Sequence, residues 1–141
     1  MRFMMIVKAT DDSESGKMPT EAQLAEMGKY NEELVNAGVL LDGNGLLGSS
    51  TGVRVQFTGK GQTTVVDGPF TETKELVAGY WIIDVKSKDE AIEWAKRVPF
   101  VDGEIEVRKV AEAEDFGDSF TPELQEAEEE LRQRVERQQN K

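Results

Sequence analysis

A ferredoxin-like α+β fold, with two helices on one face of an antiparallel sheet, is predicted by three observations. Apolar periodicity runs in the order strand, helix, several strands, helix, strand. Both helical stretches open on capping-box sequences, Thr20-Glu21-Ala22-Gln23 and Ser87-Lys88-Asp89-Glu90. The intervening strands alternate with a period of two and are joined by glycine-rich turns.

Taken in order, Phe3 to Lys8 comes first. Phe3, Met5 and Val7 alternate with Met4, Ile6 and Lys8, and both sets are largely apolar, which predicts a central strand covered on each side. Lys8, at its end, is assigned to strand-end solubility or to the edge of a cleft. Asp11 to Met18 is polar and contains Gly16, the composition of a solvated surface loop. Asp11, Asp12 and Glu14 lack the spacing of a calcium loop, so no metal site is expected.

The helix from Thr20 presents Leu24, Met27, Leu34 and Val35 at helical spacing and should end at Gly38 with a left-handed cap. A short strand, Val39 to Leu41, leads into Asp42-Gly43-Asn44-Gly45-Leu46-Leu47-Gly48. That run lacks the Lys-Ser/Thr of a phosphate loop and opens no helix, so a bulged strand edge is the better reading. Val53 to Phe57 and Thr63 to Val66 form a hairpin across Gly59-Lys60-Gly61. Ala78 to Val85 is the longest strand. The helix from Ser87 carries Ala91, Ile92, Trp94, Ala95 and Val98 and ends at Pro99, and Ile105 to Val110 closes the sheet. Trp81 and Trp94 are assigned to the core or to a dimer contact.

Composition removes several chemistries. The 141 residues include no cysteine and no histidine, which excludes thiol nucleophiles, disulfides, Cys/His zinc sites and a histidine general base. Proton transfer would fall to carboxylates, Tyr30, Tyr80, a lysine, water or a bound cofactor. No cofactor motif stands up, and none is expected. The net charge of −11 opposes binding to a phosphate backbone, so nucleic acid is not an expected partner. No stretch approaches the ~20 apolar residues of a membrane span, and the short apolar N-terminus is unlike a signal peptide. A cytoplasmic protein with no membrane partner is expected.

The most informative segment joins the hairpin to the longest strand: Asp67-Gly68-Pro69-Phe70-Thr71-Glu72-Thr73-Lys74-Glu75-Leu76. Asp-Gly-Pro is turn chemistry, in which Asp bonds nearby amides, Gly accepts unusual dihedrals and Pro fixes φ. The same stretch brings a carboxylate, a ring and a base into one elaborated turn. The run Val66 to Glu75, followed by Gly79-Tyr80, resembles the signature of YCII-related proteins of the DGPF branch, over roughly residues 2–110. The resemblance implies a ferredoxin-like domain that pairs sheet to sheet as a dimeric α+β barrel. Other YCII-like branches carry a histidine that is suggested to act with an aspartate. This chain has no histidine, so only the aspartate, Asp67, has a counterpart here.

Asp67 is thereby the candidate catalytic residue, with Phe70, Glu72, Lys74 and Tyr80 as candidate ligand-binding residues. A homodimer is also expected from patterning, because strands apolar on both faces need a second cover. Two organisational units are read: residues 1–111 as the domain, and 112–141 as an acidic connector with a C-terminal helix. Thr121-Pro122-Glu123 starts that helix, whose glutamates precede its arginines as the helix dipole favours. Leu124, Ala127, Leu131 and Val135 form a sparse apolar stripe, and Glu128-Glu129-Glu130 a solvated face.

Three functions follow. The first is a dimer that binds a small polar ligand beside the Asp67–Lys74 segment, with weak acid–base activity in prospect. The second is a regulatory protein whose acidic C-terminal helix contacts a protein partner. For that one the resemblance implies a connection to alternative sigma factors, because genes of this branch often stand beside theirs. The third is a structural dimer module in which the signature only shapes the interface.

Overall fold

The computed structural model describes residues 1–140, which divide into two compact units, Met1–Lys109 and the residues from Val110 onward. The first unit contains β1 (Arg2–Lys8), α1 (Asp11–Glu14), α2 (Glu21–Asn36), β2 (Leu40–Gly45), β3 (Val53–Gly59), β4 (Gln62–Asp67), β5 (Val77–Asp84), α3 (Lys88–Lys96) and β6 (Ile105–Lys109). Four strands make an antiparallel sheet in the order β2-β5-β1-β6. This is the ferredoxin-like arrangement. β3 and β4 do not join it and pair with each other as a separate two-stranded ribbon.

β1 lies between β5 and β6, the central position its two apolar faces predicted. Its alternation divides the sheet. Phe3 and Met5 face the helices and are buried with Tyr30, Leu34, Val39, Trp81, Ile83, Val85, Ala91 and Val98. The other face carries Met4 beside Ile82 and Ile6 beside Tyr80 in the β1–β5 register, all half-buried.

α2 is capped as its sequence predicts: Thr20 Oγ1 accepts from Gln23 N–H at 3.1 Å, and Gln23 Oε1 from Thr20 N–H at 2.9 Å. At its other end Gly38 adopts φ 72°. Val39 N–H reaches back to the Leu34 carbonyl at 3.1 Å and Gly38 N–H to that of Val35 at 2.9 Å, a Schellman closure. The buried stripe is Tyr30 and Leu34 with Met27 beside them, while the expected members Leu24 and Val35 are exposed. At about 100° per residue those two fall roughly 80–100° from Leu34 around the helix, at the rim of the contact. α3 also differs in detail. Ser87 Oγ accepts from Glu90 N–H, but Glu90 turns its carboxylate to Lys86 N–H at 2.9 Å instead of closing the box.

The aromatic core is tied together by polar ends. Tyr30 meets Trp81 edge to face at 5.5 Å and Trp94 at 6.4 Å. Trp81 Nε1–H donates to Asn31 Oδ1 at 2.9 Å, and the Tyr30 hydroxyl donates to the Trp94 carbonyl at 2.7 Å. Both tryptophans thus serve the core. Burial pushes the Tyr30 hydroxyl up to about 12; Arg97 pulls it down and Glu33 adds to the rise.

The glycine-rich run after Leu41 begins as the irregular strand edge expected of it: β2 continues through Gly45, with a register shift between Leu40 and Asp42. Gly43 permits this, because a Cβ there would stand 2.9 Å from Trp81 Cδ1. One sequence expectation is corrected: the Asp11–Met18 loop begins with a helical turn, α1, capped by Thr10. The cap turns Glu14 inward, away from the solvated role assigned to it.

The second unit holds a 3-10 stretch, Ala113–Ser119, broken at Gly117, and α4 (Pro122–Gln139). Phe116 and Phe120 pack edge to face at 5.6 Å. Thr121 caps α4, and Arg132 bonds Glu128 one turn earlier at 2.8 Å. Leu124, Leu131 and Val135 are exposed, which agrees with the sparse stripe. Among the described residues no helix is long and apolar enough to cross a membrane.

Candidate functional site

The segment after β4 is held by the turn that precedes β3. Gly68 N–H donates to the Gly52 carbonyl at 2.9 Å, and Phe70 N–H donates to Ser49 Oγ at 2.9 Å. The Gly68–Pro69 peptide is cis. Gly68 must be glycine here, since a Cβ would lie 1.8 Å from the Ser49 carbonyl oxygen. Turn chemistry alone accounts for part of the Asp67-Gly68-Pro69 motif, and the close approach to Ser49 accounts for the rest.

Ser49 is in turn held by Glu14, whose Oε2 accepts from Ser49 N–H at 2.6 Å. Gly48 allows this contact; a Cβ there would meet the Glu14 carbonyl at 2.9 Å and Oε2 at 3.2 Å. A chain of three supports follows, from α1 through the Ser49 turn to the Asp67 segment. Beyond that segment, Leu76 and the start of β5 lie against the ends of β1 and β2. Ala9 N–H donates to the Leu76 carbonyl at 2.9 Å, and Leu46 N–H to the Ala78 carbonyl at 2.8 Å.

Where these pieces meet there is a pocket of about 60 Å³, lined by Ala9, Ser13, Glu14, Leu46–Ser49 and Leu76–Ala78. Its walls are mostly aliphatic. Ser13 Oγ is occupied on both sides by Thr10, donating to its carbonyl at 3.0 Å and accepting its N–H at 2.9 Å. Glu14 Oε1 is different: it is buried and has no hydrogen-bond partner. A larger, shallow groove of about 470 Å³ runs between α3 and β6, past Val98, Phe100 and Val101.

The residues picked out from sequence are placed as follows. Phe70 is half-buried, with the Arg54 guanidinium 3.8 Å from its ring centroid. Asp67, Glu72 and Lys74 are exposed, and among the described residues no salt bridge joins them. Tyr80 lies on the sheet face away from α2 and α3. It donates to Asp42 Oδ2 at 3.0 Å and accepts from Asn44 Nδ2 at 3.0 Å. Lys8 pairs with Glu106 across the sheet at 3.6 Å. Glu14 and Ser49 were missed from sequence. Nothing in a polar Asp-Asp-Ser-Glu run says which acid turns inward. The Thr10/Ser13 capping box was the one signal that a helical turn begins there. No group of three or more potential metal ligands occurs among the described residues.

The family model of the YCII-related domain matches residues 1–114. The chain belongs to the YCII-related family. Within the YCII-related unit the segment from Asp67 to Glu75 is thus the loop that anchors on Ser49. Over 54 residues the chain is 44% identical to an uncharacterised protein of Rhizobium meliloti (strain 1021), a stretch that is 36% of this chain and 44% of that protein. The match therefore spans less than half of that relative's length. Among solved structures, the chain resembles 5-chloro-2-hydroxyhydroquinone dehydrochlorinase from Burkholderia phenoliruptrix in complex with 2,5-dihydroxybenzoquinone. The TM-score is 0.47 at 18% identity, covering 79% of this chain and 94% of that one.

Proposed function

We propose that this YCII-related protein binds a small polar ligand in the pocket at the end of its sheet, beside the Asp67–Lys74 segment. One observation carries the reading: the segment is anchored on Ser49, and Leu76–Ala78, which follow it, line a pocket together with the half-buried Glu14. Apolar walls with a few polar groups are the usual make-up of a small-molecule site, and at about 60 Å³ this pocket takes only one small end of a ligand. Asp67, Glu72 and Lys74 lie on the strand-to-strand connection that leads to this wall and would meet the outer part of a polar ligand. The chain has no histidine or cysteine, and the carboxylates this reading places at the site are Glu14, in the pocket lining, and Asp67, on the signature segment. Thermal unfolding across a metabolite library tests this, because a ligand bound only to the folded state raises the melting temperature. A flat response across the library would sink it.

The same proposal includes a homodimer. α2 and α3 pack on one face of the sheet, and Met4, Ile6 and Ile82 stand on the other. A second copy would bury those side chains sheet to sheet. Sedimentation equilibrium at micromolar concentration should give twice the chain mass, reduced to the chain mass by Ile82→Lys. A wild-type monomer would remove the dimer from the proposal.

A further inference from the structure

The sheet face away from the helices is polar at both edges, and the two edges carry opposite charge. Residues that stand opposite one another on paired strands share a face. One row across this face therefore reads Asp42, Ile82, Met4 and Arg108, and the next reads Asn44, Tyr80, Ile6 and Glu106. At the β2 edge Asp42 is the acid. Its Oδ2 accepts the Tyr80 hydroxyl at 3.0 Å and its Oδ1 accepts from Asn44 Nδ2 at 3.3 Å, while Asn44 Nδ2 also donates to the Tyr80 hydroxyl at 3.0 Å. A side-chain amide has two donors and a phenol one. The cluster has thus used its donors and keeps only acceptor capacity around a carboxylate. Among the described residues no salt bridge reaches Asp42. At the β6 edge Glu106 lies between Lys8 at 3.6 Å and Arg108 at 3.7 Å. Two cations against one acid leave that edge positive, in a chain whose net charge is −11. The Arg108 side chain is 72% exposed.

We infer that the Asp42–Tyr80–Asn44 cluster is completed by Arg108 of a second copy, related to the first by a two-fold axis that runs along the strands. This rests on the sheet-to-sheet dimer proposed above. Such a rotation exchanges the two edges and keeps each row in place, so β2 of one copy lies over β6 of the other and β5 over β1. Asp42 then faces the partner's Arg108, and Ile82 the partner's Met4. In the next row Tyr80 faces the partner's Ile6, and Asn44 comes to the Lys8–Glu106 pair. By symmetry each contact is made twice. Packed sheets stand about 10 Å apart, a gap that a long arginine side chain bridges. The planar guanidinium brings the donors that the cluster has left unmatched, in a fork that suits a carboxylate. The other two-fold, across the strands, keeps each edge with itself. It would bring two Asp42 carboxylates to one edge, and like charges set against each other in an interface are costly. Charge therefore selects how the two copies face, while Met4, Ile6 and Ile82 supply the apolar centre.

The test is charge reversal on the full chain, read by sedimentation equilibrium. Asp42→Lys and Arg108→Glu, each alone, set like charges face to face at both contacts and should weaken dimerisation by about tenfold or more. An equimolar mixture of the two variants should return to near the wild-type affinity. In the mixed dimer the two introduced charges meet each other, and the remaining contact is the native Asp42–Arg108 pair. If Asp42→Lys does not fold, Asp42→Asn takes its place, since it keeps an acceptor for Tyr80. Added to Arg108→Glu in the same chain, it removes the repulsion and should recover part of the lost affinity. A wild-type dimer that Arg108→Glu leaves unweakened overturns the inference, and so does a mixture or double variant that recovers nothing; either result leaves the dimer itself standing. A wild-type monomer removes the dimer, and the inference goes with it.

Discussion

Glu14 and Ser49 are joined by a 2.6 Å hydrogen bond from the Ser49 amide to Glu14 Oε2, across 35 positions of sequence. The same serine accepts the Phe70 amide on its hydroxyl. One short helical turn is thereby linked through Ser49 to the loop from Asp67 to Glu75. The two residues identify what to perturb.

Gly68→Ala places a methyl 1.8 Å from the Ser49 carbonyl oxygen, a backbone atom that cannot rotate away. Overpacking of this kind typically costs about 1–3 kcal/mol. Urea denaturation should show at least that loss. Gly45→Ala is the control, because nothing lies within 4 Å of its Cβ, and it should stay near the wild-type midpoint.

Asn31→Leu removes the acceptor of the Trp81 indole N–H, a 2.9 Å bond inside the core. Leaving that donor unpaired should cost about 1–3 kcal/mol. Chemical denaturation followed by tryptophan fluorescence measures it, and a loss under 0.5 kcal/mol, the ordinary range for surface changes, would show that the bond is unimportant.

Arg54→Ala removes the guanidinium over the Phe70 ring, 3.8 Å from its centroid. Cation–π pairs at exposed sites are worth about 0.5–1 kcal/mol. The loss should be local. Amide exchange should speed up in β3 and β4, which pair only with each other, and remain unchanged in β1 and β5.

Tyr30 sets an alkaline limit. Its hydroxyl is raised from 10.0 to about 12 in the folded chain, first by burial. Between those values the unfolded chain has lost the proton and the folded chain retains it, so the folded state binds more protons and stability falls as pH rises. The contribution is whole below pH 10 and is lost as pH approaches 12. Tyr30→Phe should remove this part of the alkaline slope in denaturation measured from pH 9 to 12. It should also lower stability at pH 7 by about 1 kcal/mol through the lost bond to the Trp94 carbonyl.

Most of the fold was legible in the sequence because its signals are local. The Thr20 cap, the Gly38 closure, the two-faced apolar pattern of β1 and the β3–β4 hairpin each depend on residues within a few positions of one another. Legibility weakened where a distant partner decided. Gly43 has to be glycine because Trp81, its partner in β5, fills the space a Cβ would take, and β3–β4 leaves the main sheet although its alternation looks like any other strand pair. Leu24 and Val35 are apolar and helical in spacing, yet the core takes Tyr30 and Leu34. The face of a helix is set by what it packs on.

The site divides in the same way. By itself the sequence determined the family, the ferredoxin-like order of elements, the absence of thiol and imidazole chemistry, and the segment where function should be sought. It also singled out Asp67, Phe70, Glu72, Lys74 and Tyr80, the polar and aromatic groups near one signature. Only the tertiary structure decided that Tyr80 bonds to Asp42 and Asn44 on the sheet face away from the helices, and that Glu14 reaches Ser49. Capping and periodicity act over a turn or two and are written in neighbouring residues. The small pocket, by contrast, is lined from three separate stretches, Ala9 with Ser13 and Glu14, Leu46–Ser49, and Leu76–Ala78, which only the folded chain brings together.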